Sequence, residues 1–87
     1  MPLSWEKNTS EKFELLISKV PPFLRDIARD KVSKKAEIFA AKEARAEVTE
    51  KDMVDAFFAE TPFGFHGPMK SDMQECGINY TAYGHSA

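Results

Sequence analysis

Hydrophobic residues recur along this chain at helical spacing, in three runs separated by prolines and loop residues. Phe13, Leu16, Ile17 and Val20 stand at i, i+3, i+4 and i+7, one face of a helix. Ahead of them, Asn8-Thr9-Ser10-Glu11 has the spacing of a capping box, so the first helix is predicted to begin after Asn8. Pro21-Pro22 ends it, because proline removes a donor and drives the residue before it out of the helical region. Pro22 also suits the first turn of a second helix, where its missing N–H has no intrahelical partner. Leu24, Ile27, Ala28, Val32, Ala36, Phe39 and Ala40 carry that helix's apolar stripe, with Arg25, Arg29, Lys34 and Lys35 opposite. The good helix formers from Ala36 onward extend it to Ala44. The third helix has the clearest start: Thr49 at the cap, Glu50 and Asp52 in the first turn, and Val48 and Met53 placed as a hydrophobic staple. Met53, Ala56 and Phe57 follow at helical spacing, and Thr61-Pro62 stops the run.

Beyond Pro62 the texture changes. Phe63-Gly64-Phe65-His66-Gly67-Pro68 reads as irregular chain, followed by one short helix from near Lys70-Ser71 to Cys76, stopped by Gly77. Ile78 to Tyr83 alternates apolar and polar side chains and reads as extended, and Gly84-His85-Ser86-Ala87 as a free end. The expected architecture is all-α: a small three-helix bundle over residues 1–61, with no strand inside residues 9–60. A Gly/Pro/aromatic tail over residues 62–87 docks in part, with one extra short helix. The expected core is Phe13, Leu16, Ile17, Leu24, Ile27, Ala28, Val32, Phe39, Met53 and Phe57, with Phe23 wedged between the first two helices. In the tail, Phe63 and Phe65 are expected to pack and residues 79–87 to stay loose.

At 87 residues the chain is one domain whose core is small, and a self-contained enzyme with a deep pocket is not expected of it. One cysteine excludes an internal disulfide. No signal-peptide pattern and no apolar run of membrane-spanning length appears, so the expected location is the cytoplasm. The net charge of −2 is unevenly divided. Residues 1–35 hold eight Lys/Arg against five Asp/Glu, and residues 36–87 hold four against nine. Such a dipolar chain suits docking on a charged protein surface better than binding nucleic acid.

Candidate chemistry is thin. His66, Cys76 and His85 are soft-ligand candidates in the tail, near Met69 and Met73, but there is no C-x-x-C and no His pair at i, i+4. No metal site is expected, and Met69 and Met73 read as the apolar side of a short helix. Cys76 lacks a sequence-adjacent base that would make it a nucleophile. Arg25 and Arg29 share a helix face at i, i+4 and, with Lys34, form a candidate grip on an acidic partner. The competing reading is intrahelical pairing, Asp26 with Arg29 and Asp30 with Lys34. Phe63, Phe65, Tyr80 and Tyr83 are the candidate second contact, since Arg and aromatics favour interface centres.

One resemblance goes beyond composition. Val20-Pro21-Pro22-Phe23-Leu24-Arg25, then Arg29, Ala36 and the Val48-Thr49 pair follow a recognisable order. The stretch Val20 to Ala56 resembles the protochlorophyllide-reductase-type (PCP-reductase-type) helical domain, which closes the B subunit of the light-independent protochlorophyllide reductase and also occurs as short stand-alone proteins. Where that pattern breaks the second helix with Gly, this chain has Ala40 to Arg45, which reads as further helix. The resemblance implies a non-catalytic module, docking on or accessory to a larger oxidoreductase complex of chlorophyll biosynthesis. Tetrapyrrole or iron–sulfur chemistry would then enter only through that partner. The alternatives are a small tetrapyrrole- or metal-binding protein using the tail, and a helical DNA-associated protein, because the Val-Thr-x-x-Asp helix start also resembles the end of a histone fold. A protein partner is expected, a membrane and nucleic acid are not, and the oligomeric state is open.

Overall fold

The structure, a computed structural model, describes residues 4–85. A short strand β1 (Ser4–Trp5) leads into helix α1 (Lys7–Ser18), then the long α2 (Pro22–Lys42), strand β2 (Glu47–Val48), α3 (Glu50–Glu60) and α4 (His66–Glu75). Single 3-10 turns, Phe63–Phe65 and Tyr80–Tyr83, bracket α4. The fold is all-α. The parallel pairing of Ser4 with Glu47 and Trp5 with Val48 is a correction to the strand-free expectation for residues 9–60.

That pairing also moves the start of α1. The Glu6 N–H donates to the Val48 carbonyl at 3.1 Å, and the Ser10 N–H already bonds the Glu6 carbonyl at 2.8 Å. The helix therefore begins at Lys7, and Asn8 lies inside it rather than capping it. The Thr9 hydroxyl, buried, donates to the Glu6 carboxylate at 3.2 Å. The third helix starts as its sequence dictates. The Thr49 hydroxyl accepts from the Asp52 N–H at 3.5 Å, while Asp52 accepts from the Thr49 N–H at 2.9 Å. Asp52, 1% exposed, also pairs with Arg45.

α2 ends at Lys42, short of Ala44, which adopts φ 57°. The Ala44 N–H bonds Ala41 O at 3.0 Å, and the Arg45 N–H bonds Ala40 O at 3.0 Å. Those two bonds close a Schellman end around a left-handed residue. α4 ends in the same way at Gly77, φ 75°, with the Ile78 N–H on Met73 O at 2.9 Å.

The core runs from Phe13, Leu16 and Ile17 of α1, through Val32, Ala36 and Ala40 of α2, to Met53, Val54, Ala56 and Phe57 of α3. Met69, Met73, Ile78 and Tyr80 complete it from the tail. Ala36 and Ala40 are fully buried, and their small side chains let α2 lie close on α3. Leu24 and Ile27, expected in this core, are 41% and 55% exposed, and Phe23 is 80% exposed rather than wedged. The cause is Arg25. At about 100° per residue it shares the inward arc with Val32 and Ala36, and it crosses the end of α1, donating to Val20 O at 2.9 Å and Ser18 O at 2.6 Å. Its neighbours Phe23, Leu24 and Ile27 are thereby turned outward.

The tail departs furthest from expectation. α4 begins at His66, and Gly67 and Pro68 fit its first turn, where a missing N–H costs nothing. The segment expected to be extended ends in a 3-10 turn with Tyr80 buried. Phe63 and Phe65, expected to pack, are 88% and 64% exposed. Residues 79–85, expected to be loose, supply the buried Tyr80 and the half-buried Tyr83 and His85. The remainder of the expected free end, Ser86-Ala87, lies outside the described residues.

Candidate protein-docking surface

Each sequence-predicted contact residue has a definite place. Arg25 is committed to the carbonyls of Ser18, at the end of α1, and Val20, just beyond it. The Arg29 guanidinium faces α1 as well, donating to Glu14 at 2.8 Å, with Asp26 at 3.7 Å. Its pKa is raised by the Glu14 hydrogen bond first and by the charges of Glu14 and Asp26. Lys34 pairs with Asp30 at 3.2 Å. The two arginines thus fasten α2 to α1 instead of forming a free basic face.

The tyrosines are likewise engaged. Tyr80 is 3% exposed and lies 6.0 Å, ring to ring, from Phe58. The Tyr83 hydroxyl donates to Glu50 at 2.6 Å, and Lys12 donates to the same carboxylate at 2.6 Å from α1. Burial pushes Glu50 upward, but the hydrogen bonds from Lys12 and Tyr83 outweigh it and hold the carboxyl below its ordinary range. Burial, helped by that carboxylate, pushes the Tyr83 phenol up to about 12.

His66 and His85 flank one ring. His85 stacks on Phe58 with centroids 3.9 Å apart and bonds Asp55 at 2.7 Å. His66 meets Phe58 edge-on at 5.1 Å and lies 2.9 Å from Thr61 O. Cys76 follows directly on the end of α4, its thiol pushed up chiefly by burial. Among the described residues no group of three or more His, Cys, Asp or Glu is gathered closely enough to hold a metal ion. Nor is any described helix long and apolar enough to cross a membrane.

Two surface depressions are shallow and open, one over Ser10, Glu11, Glu14, Leu15 and Ser18 of α1, the other between Lys31, Lys34, Ile38 and Glu60. Neither encloses a small molecule in the way a ligand site does. What the fold leaves outward is aromatic and aliphatic: Phe63 and Phe65 at the elbow between α3 and α4, Phe23, Leu24, Ile27 and Ile38 along α2, and Leu15 on α1. Sequence reasoning named the first pair for partner contact but placed the α2 set largely in the core. The signal that separates them is the inward arc already occupied by Arg25, Val32 and Ala36.

No curated protein and no solved structure matches the chain. A family described as a protein of unknown function (DUF2621) matches residues 2–86, and the chain belongs to that family.

Proposed function

We propose that this protein is a non-catalytic module that docks on a larger redox complex of the light-independent protochlorophyllide reductase kind, in the cytoplasm. The observation that carries the docking reading is the elbow. Phe63 and Phe65 stand 88% and 64% exposed on a 3-10 turn held between two packed helices. Large aromatics on a fixed backbone lose little freedom on binding and are typical interface anchors. Of the contacts expected from sequence, Arg25, Arg29, Lys34, Tyr80 and Tyr83 have partners inside the chain, which leaves Phe63 and Phe65 to meet the partner. The partner's identity rests on the Val20 to Ala56 resemblance. Any tetrapyrrole or iron–sulfur group belongs to the partner in this reading.

The test is a calorimetric titration of the protein into the purified catalytic component of such a reductase, beside a Phe63→Ser, Phe65→Ser variant. Saturable binding that the double variant loses by roughly a hundredfold, the loss of two hot-spot aromatics, is the expected result. No heat of binding at high micromolar concentration refutes the partner, and equal binding by the variant refutes the elbow.

A further inference from the structure

We propose that the outer face of α2 binds the same face of a second copy, the two helices lying side by side and parallel. At about 100° per residue, Phe23, Ile27, Lys34 and Ile38 fall within an arc of roughly 60° on the solvent side of this helix. Phe23, Ile27 and Ile38 are 80%, 55% and 49% exposed. Its apolar positions stand outside the chain's own core, since Arg25 and Arg29 face α1 while Val32, Ala36 and Ala40 are buried in that core.

What covers it is indicated by the charges on either side. Asp26, Asp30 and Glu37 line one flank of the stripe, and Lys31, Lys35 and Lys42 line the other. The pattern repeats. Asp26-Ile27 with Lys31 four residues on recurs as Glu37-Ile38 with Lys42 four residues on. Eleven residues make almost exactly three helical turns, so the two units stack on one face roughly 16 Å apart.

A two-fold axis running along the helices sets the acidic flank of each copy against the lysine flank of the other. Asp26 then meets Lys31 of the second copy, Glu37, which also accepts the Trp5 indole N–H at 3.4 Å within its own chain, meets Lys42 of the second copy, and both pairs occur twice. An antiparallel pairing of the same face sets acid against acid and lysine against lysine. Lys34, between the units, is neutralised within its own chain by Asp30 at 3.2 Å and adds its aliphatic stem to the stripe. The face is one helix wide, at the small end of specific interfaces, so a dimer that dissociates in the micromolar range is expected.

This pairing is independent of the elbow, and its test reads mass and proximity rather than partner binding. Sedimentation equilibrium should give a concentration-dependent monomer–dimer mass. Asp26, whose carboxylate is wholly exposed and lies 3.7 Å from Arg29, can be reversed at little cost to the fold, because so exposed an ion pair contributes little. Asp26→Lys should weaken the dimer at least roughly tenfold, and Lys31→Glu added to it should restore the affinity. In a Cys76→Ser background, Ile27→Cys and Ile38→Cys, made separately, should each form a disulfide with its own counterpart. An antiparallel pair brings at most one of these two positions within disulfide reach. A monomer at every concentration, an affinity indifferent to charge reversal, or crosslinking at only one position overturns the proposal.

Discussion

Met73 and Phe63 lie ten residues apart in the tail and at opposite extremes of exposure, 0% and 88%. Truncating each to Ala therefore reads directly which part of the tail belongs to the core. Met73→Ala removes a sulfur and two carbons from full burial. At about 0.8 kcal/mol per buried carbon-sized group, the transfer loss is close to 2.4 kcal/mol. The cavity left in the cluster that also buries Met53 and Val54, both 0% exposed, adds to it, giving about 2–5 kcal/mol. A domain of this length is stable by roughly 4–13 kcal/mol, and each kcal/mol moves its melting temperature by about 4–8 °C. Met73→Ala should thus lower the melting temperature by about 10 °C or more. Phe63→Ala should leave it within a few degrees, as surface substitutions do. Thermal denaturation followed by far-UV circular dichroism measures both. Equal shifts for the two variants, or a negligible shift for Met73→Ala, would refute the packing of α4 against the body.

Ending the chain at Thr61 should abolish cooperative unfolding, because Met69, Met73, Ile78 and Tyr80 all leave the core together; a truncated chain with a sharp melt would contradict this. Ala44→Gly should stabilise by about 1 kcal/mol in chemical denaturation, since Ala44 holds a left-handed φ of 57° that costs an L-residue about that much. Thr49→Ala should cost about 1 kcal/mol on the same assay through loss of the N-cap. The Tyr83 phenol, raised from 10.0 to about 12 in the fold, contributes stability that is complete below pH 10 and is lost as pH climbs towards 12. Tyr83→Phe should flatten that alkaline limb of the stability profile while leaving its slope near neutrality unchanged.

Features set by a few neighbouring residues were legible before the structure. The Thr49–Asp52 cap is local, and so is Pro22 at the head of α2, and both stand where the sequence places them. Features set by a distant partner were not. The start of α1 moves because Val48, far along the chain, takes the Glu6 N–H. Leu24 and Ile27 satisfy the periodicity of a core stripe, but periodicity does not say that Arg25 will occupy the inward arc of the first turns. In the tail, hydrophobicity alone ranks Phe63 and Phe65 above Tyr80 for burial, and the order is reversed. Tyr80 has Phe58 beside it and a hydroxyl that receives the Gln74 amide at 3.4 Å, whereas the elbow turns both phenylalanines outward. For the candidate surface, the residue types were readable and their allocation was not. Arginine and tyrosine are common at interfaces, and here they tie one helix to the next.

Glu50 receives Lys12 from the first helix and Tyr83 from the end of the described chain, and the strand just before it holds Ser4 and Trp5. Synthesis delivers these partners in strict order. α1 and α2 leave the ribosome with Phe13, Leu16, Ile17 and Val32 uncovered, because the helix that buries them follows later. The N-terminal strand waits for Glu47, and the Lys12–Glu50 pair waits three residues more. Tyr80, the last of these core residues along the chain, follows Glu50 by thirty residues. The nascent chain therefore carries open apolar surface from α1 onward, until α3 and α4 have followed and the core can close around them.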